Sequence, residues 1–202
     1  MKIIGITGGV GAGKSRILAY LEEHTTCRVI IADRTAHDLE EPGGSCHEQI
    51  VELLGTDILA GDGSIDRAKM AERIFTDREL LVQINAIIHP AVKQYITEAI
   101  AEEQKAGRID YLFIEAALLI EDGYEKIVDE LWYIHTDEHV RRERLKASRG
   151  YSDEKIDNIM QGQLSEEVFY RHCSVVIDNS GTVESAYRQI DKKLGEDLCQ
   201  RQ

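Results

Sequence analysis

The chain has 202 residues, 43% apolar and 30% charged, with 37 acidic side chains against 24 lysines and arginines and a formal charge of −13. That composition suits one domain with an ample core, and the acidic balance excludes a protein that grips nucleic acid through a general basic surface. No stretch approaches the ~20 consecutive apolar residues of a membrane span, and the opening run MKIIGI breaks into glycines without a secretory pattern, so the expectation is a cytoplasmic protein with no membrane partner. Cys27, Cys46, Cys173 and Cys199 lie far apart, which predicts plain thiols in a reducing compartment.

Short, continuously apolar runs alternate with helical periods, the pattern of a parallel sheet covered by helices. KIIGI (2–6) is the first predicted strand, and Ile17, Leu18 and Leu21 mark the buried face of the helix that follows from Ser15. RVIIA (28–32) is the second strand, closed by Asp33. A mostly helical excursion follows, punctuated by EEPGG (40–44) and GDGS (61–64); Thr76 and Glu79 form a capping box, and Pro90, after His89, opens a helix that runs to a stop at Gly107. At roughly 75 residues this segment exceeds a simple crossover and reads as a substrate-binding subdomain. YLFIEAALLI (111–120) contains the third strand, LWYIH (131–135) is the fourth and SVVID (174–178) the fifth. Between the last two, residues 138–150 and 151–167 read as two helices joined at Gly150; Val183, Ala186, Tyr187, Ile190 and Leu194 line the final one.

GGVGAGKS, from Gly8 to Ser15, matches G-x-x-x-x-G-K-[ST] between a strand and a helix. Gly8, Gly9, Gly11 and Gly13, with Ala12, let backbone N–H groups turn inward around phosphate at the positive end of the helix. Lys14 supplies a point charge at the β/γ-phosphates, the Ser15 hydroxyl is placed for Mg²⁺, and Arg16 either touches phosphate or points to solvent. A nucleoside triphosphate is the expected ligand.

A guanine-reading N-K-x-D is absent, D-x-x-G occurs only as DNSG (178–181), and no L-S-G-G-Q signature is present. A small-molecule kinase with a cap against water is the reading that remains. Arg141, Arg142, Arg144, Lys146 and Arg149 crowd one short segment and supply such a cap, with Arg142, Lys146 and Arg149 on one helical face; the alternative is a solvated helix whose cations pair with Glu138, Glu143 and Glu154. Asp33, at the carboxyl end of a buried strand, either accepts a proton from an acceptor hydroxyl or caps the next helix. Glu115, inside an apolar run, needs a partner, whether metal through water, substrate or arginine.

Taken in order and spacing, these motifs resemble the dephospho-coenzyme A kinase family nearly end to end. TGGVGAGKS is close to its T-G-G-[IV]-G-[SA]-G-K-S, Ala32-Asp33 to the end of its D-A-D, and Glu41-Pro42-Gly43 to its E-P-G. IDRAKMAERIF (65–75), INAIIHP (84–90), ALLIE (117–121) and VIDNSG (176–181) find counterparts, Arg144 and Arg149 fall on the lid arginines, and Gln163 falls on the lid glutamine. The resemblance implies ATP-dependent phosphorylation of the ribose 3′-hydroxyl of dephospho-coenzyme A. It implies an α/β P-loop fold of three layers with a five-stranded parallel sheet, and one kinase domain over residues 1–202. Within that domain the core is 1–33, 108–137 and 170–202, the helical coenzyme-binding insert is 34–107, and the helical lid is 138–169. It favours Asp33 as general base, with Lys14, Arg144 and Arg149 carrying charge. It brings Asn179 near the adenine, leaves His89 open between helix cap and ligand contact, and implies Mg²⁺, ATP and dephospho-coenzyme A as ligands of an assumed monomer. Ile31, Ala117 and Arg16 depart from the family pattern. The rivals are another kinase of this fold, such as one acting on nucleoside monophosphates, and a nucleotide-binding module without catalysis.

Overall fold

The computed structural model describes residues 1–200. The strands are β1 (Lys2–Thr7), β2 (Cys27–Ile31), β3 (Tyr111–Glu115), β4 (Glu130–His135) and β5 (Val175–Asp178). The helices are α1 (Lys14–His24), α2 (Ala32–Glu40), α3 (His47–Leu54), α4 (Arg67–Thr76), α5 (Arg78–Ala106), α6 (Glu138–Arg149), α7 (Asp153–Gln161), α8 (Glu166–His172) and α9 (Val183–Gln200). The chain forms two compact units, Met1–Val29 with the chain from Gly107 on, and Ile30–Ala106.

The strands make one five-stranded parallel sheet in the order β2-β3-β1-β4-β5. Ile6 of β1 stands opposite Glu115 on one side and Trp132 on the other. Ile4, Ile6, Leu112, Phe113, Ile114, Trp132 and Ile134 are fully buried, as continuous apolar runs require of strands covered on both faces. Because β1 has neighbours that follow it in both directions across the sheet, the topological switch point lies at its carboxyl end. The glycine-rich loop begins there.

The second unit has its own apolar core, in which Cys46, Ile50, Leu54, Ile58, Ile65 and Ile84 are packed under Met70, Ile74 and Leu80. Three local expectations change here. Helix α5 runs unbroken through Pro90, so neither a helix start at Pro90 nor a capping role for His89 holds. The buried stripe Ile84, Val92, Ile96, Ala99 and Ile100 continues across the proline, and that burial outweighs one missing backbone donor. Thr76 closes α4, and it is Asp77 whose Oδ1 accepts from the amides of Glu79 (2.9 Å) and Leu80 (3.3 Å). Helix α2 begins one residue before Asp33, with Ile31 at the capping position. Asp33 is therefore a first-turn residue rather than a cap or the end of the strand.

In the first unit the segment 151–167 is divided. Helix α7 ends at Gln161, and α8 starts anew after Ser165. Cys27, Cys46 and Cys173 are free thiols; burial pushes Cys173 up to about 12, which makes it an inert packing group. Cys199 lies outside the residues whose side chains are described. No helix among the described residues is long and apolar enough to cross a membrane.

Candidate active site

The loop from Gly8 to Gly13 leaves the end of β1 and turns directly into α1. Gly8, Gly11 and Gly13 take φ values of 151°, 85° and 87°, a backbone that side chains oppose. Gly13 caps α1 in the left-handed conformation, with no side-chain cap and no acid in the first turn. The amides of the first two residues of α1, Lys14 and Ser15, and the positive end of its dipole thus suit an anion, while the Arg16 amide donates to the Gly13 carbonyl at 3.0 Å.

Lys14 folds back over this loop. Its Nζ donates to the Gly8 carbonyl at 2.8 Å and lies 3.4 Å from Glu115 Oε1, with only 16% and 14% of the two side chains exposed. The strand register brings Glu115 beside the end of β1. Glu115 thus has the phosphate-loop lysine as a partner. Ser15 and Arg16 occupy the outer side of the same helical turn and are exposed.

The far end of the loop is fastened at a single carbonyl. Ala12 O accepts from Asn179 Nδ2 at 2.8 Å and Arg144 Nη1 at 3.4 Å, and from Thr136 Oγ1 at 3.1 Å, whose one proton is shared with the His135 carbonyl at 2.7 Å. Arg144 Nη2 also donates to the Asn179 carbonyl at 2.8 Å. Asn179, following β5, is 3% exposed, and its Oδ1 is buried without a hydrogen-bond partner among the described residues. Thr136, following β4, is equally hidden. Three separate elements therefore hold the loop from behind.

Helix α6 lies directly on the loop. A Cβ at Gly11 would stand 3.0 Å from the Arg141 carbonyl and 3.1 Å from Leu145 Cγ, and one at Gly9 would collide with Arg141 Nη1. Arg141 Nη1 donates to Gln163 Oε1 at 3.2 Å. The cations facing the loop are thus Arg141 and Arg144. Arg142 and Lys146 point elsewhere: Arg142 pairs with Glu138 (2.8 Å) and with Asp157, and Lys146 with Asp153 at 2.6 Å. The hydrogen bonds it donates to Glu138 and Asp157 hold the Arg142 guanidinium above its ordinary value. That face of α6 ties the helix to α7. Arg149 ends α6, its guanidinium 5.8 Å from the Tyr151 ring centroid; its hydrogen bond, with the charge of Lys155, draws the Tyr151 phenol below its usual range.

Asp33 is exposed in the first turn of α2. Among the residues around the loop, Thr136 and the specific role of Arg141 were not singled out by the sequence. The available signals were the position of Thr136 just past a strand end and the i, i+3 relation of Arg141 to Arg144.

A glycine loop at the switch point, its lysine, and an arginine-bearing helix laid across it define a P-loop kinase of the small-molecule type. Within that class the sequence is specific: residues 2–185 match the dephospho-CoA kinase family, and the chain belongs to that family. A dephospho-CoA kinase of Carboxydothermus hydrogenoformans is 37% identical over 190 residues, covering 94% of this chain and 91% of that one. The Geobacter sulfurreducens dephospho-CoA kinase is 36% identical, covering 95% and 96%. A crystal structure from Thermus thermophilus superposes with a TM-score of 0.79 at 28% identity, covering 96% of this chain and 97% of that one. A shikimate kinase from Bacteroides thetaiotaomicron shares the fold alone, with a TM-score of 0.56 at 14% identity and 98% of each chain covered.

Proposed function

We propose that the chain transfers the γ-phosphoryl group of ATP to the ribose 3′-hydroxyl of dephospho-coenzyme A, giving coenzyme A and ADP. The observation that carries this reading is the pairing of Lys14 with Gly8 and Glu115 inside a loop roofed by Arg141 and Arg144, in a chain of the dephospho-CoA kinase family.

On this reading the triphosphate rests on residues 8–16, with the loop amides and Lys14 meeting its oxygens. In the in-line step the bond from the γ-phosphorus to the ribose oxygen forms while that to the β–γ bridging oxygen breaks. Asp33 takes the hydroxyl proton, a role supported by its place just past the carboxyl end of β2, where open α/β sheets bind their ligands. The cations bear the charge that gathers on the moving oxygens, and most of the acceleration comes from positioning and electrostatics. Mg²⁺ fits the donor set: the exposed Ser15 hydroxyl and, through water, the Glu115 carboxylate are hard oxygen ligands of the kind it prefers. When bound, the ion neutralises phosphate charge. Residues 34–107 would receive the coenzyme, and residues 138–169 would act as the lid that keeps water out, with Arg144 and Arg149 as its cations and Asn179 toward the adenine. The enzyme would work in the cytoplasm as a monomer.

The test is ADP release with dephospho-coenzyme A against a panel of nucleoside monophosphates. Turnover should require dephospho-coenzyme A. Faster turnover with any monophosphate, or tight ATP binding with no acceptor at all, would replace this reading with one of its rivals.

A further inference from the structure

Two arginines of α6 meet the loop, and they meet different ends of it. Arg144 is engaged at the Gly13 end, where it donates to the carbonyls of Ala12 and Asn179. Arg141 is engaged at the Gly9 end, where its guanidinium lies so close to the backbone that any side chain at residue 9 would displace it. The glycine there is needed for this approach.

The two ends correspond to different phosphates. Lys14 marks the β/γ region in loops of this kind, and its Nζ sits on the carbonyl of Gly8, the immediate neighbour of Gly9. Gly13 and the first turn of α1 mark the opposite, inner end. Arg141 therefore roofs the γ-phosphate end.

Its hydrogen bonding is incomplete as well. Nη1 donates to Gln163 Oε1 at 3.2 Å, whereas Nε is buried and has no hydrogen-bond partner among the described residues. A buried guanidinium N–H is costly to leave unpaired, and its planar fork suits phosphoryl oxygens. Gln163 accepts from one arm of that fork and fixes its plane above the loop.

We infer that Arg141 is the γ-phosphate-binding arginine of this enzyme and that Gln163 is its positioning residue, so that together they distinguish a triphosphate from a diphosphate. The inference rests on the nucleotide half of the proposed function and is independent of the acceptor. Losing charge-assisted bonds of this kind weakens binding about ten- to a hundredfold. Arg141→Ala should weaken ATP by that factor and ADP by less than about threefold. Gln163→Ala should shift the ATP-to-ADP ratio in the same direction by a smaller factor, raising KM for ATP more than it lowers kcat.

The experiment is calorimetric titration of ATP and ADP, in Mg²⁺, into the full-length wild type and each variant, with thermal melts as a check of folding. Should Arg141→Ala fail to fold, Arg141→Lys keeps charge and reach while removing the fork, and it should also lose the preference for ATP. Equal losses for ATP and ADP in the folded variant would make Arg141 a prop for the loop and overturn the inference; so would no loss at all. No acceptor is present in these titrations, so failure to phosphorylate dephospho-coenzyme A would sink the acceptor assignment and leave this result standing.

Discussion

Lys14 and Asp33 are asked for different contributions, and the difference is measurable. Lys14 is a largely buried cation held between a loop carbonyl and Glu115. Removing it takes a charge from the phosphate site and withdraws the lysine from the Glu115 carboxylate beside it. Asp33 is exposed on α2, and its proposed duty is confined to one proton. Lys14→Ala should lower kcat/KM by about 10²–10³ or more and weaken ATP binding. Asp33→Asn should lower kcat by ~10²–10⁴ with ATP affinity unchanged. Steady-state kinetics beside equilibrium ATP binding checks both; an Asp33→Asn enzyme with full kcat removes Asp33 from the mechanism. At this scale the loop's backbone was legible, because glycine spacing acts locally. The fastening at Ala12 was not, since Thr136 and Asn179 lie 124 and 167 residues further along the chain, and no pattern of residue types announces which distant carbonyl a side chain will find.

Among elements, strands and helices were readable wherever burial repeats with a simple period. The five apolar runs became the five strands of the sheet. What periodicity could not supply was the neighbour on each face. Arg142 and Lys146 share a face of α6, as their spacing required, but Asp153 and Asp157 of α7 occupy it. The loop is met by Arg141 and Arg144 on a different face. Pro90 shows the same limit, because a local helix breaker is overruled by apolar burial on both sides of it. The fastening of the loop by β4, β5 and α6 makes a quantitative prediction. Asn179→Ala or Thr136→Val alone leaves the Ala12 carbonyl with another close donor, and each should cost about 1 kcal/mol. The double variant should cost more than the sum, because among the described residues only the 3.4 Å contact from Arg144 is left to that carbonyl. Denaturant unfolding of the four proteins measures the coupling; strict additivity would mean that the two side chains do not share one acceptor in solution.

Over the whole molecule the governing quantity is charge, −13 at neutral pH, and the groups that resist adding to it. Tyr20, Tyr124 and Tyr133 are each pushed up to about 12, the first chiefly by its hydrogen bond to Asp191 and the others by burial, and burial pushes the Cys173 thiol to about 12 as well. In the unfolded chain these groups ionise near 10 for tyrosine and 8.5 for cysteine. The folded state therefore retains protons that the unfolded state gives up, so their contribution is complete below the unfolded values and is lost as pH rises toward about 12. Each ionisation also adds repulsion to a chain already strongly negative. On the acid side the order reverses. Hydrogen bonds from Ser180, with His135, hold Asp178 below the usual carboxylate range, and Lys146 does the same for Asp153. Stability from these two is present above about pH 4 and is lost as pH falls through their folded values. Tm should accordingly be level from about pH 6 to 8 and decline progressively above about pH 9. The alkaline decline should be shallower in about 0.5 M salt, which screens the repulsion but not the burial. Melting curves read alongside tyrosinate absorbance decide it: the protected tyrosines should ionise together with unfolding, and ionisation of all the tyrosines near pH 10 in a still-folded protein would show that neither burial nor the Asp191 hydrogen bond holds them neutral.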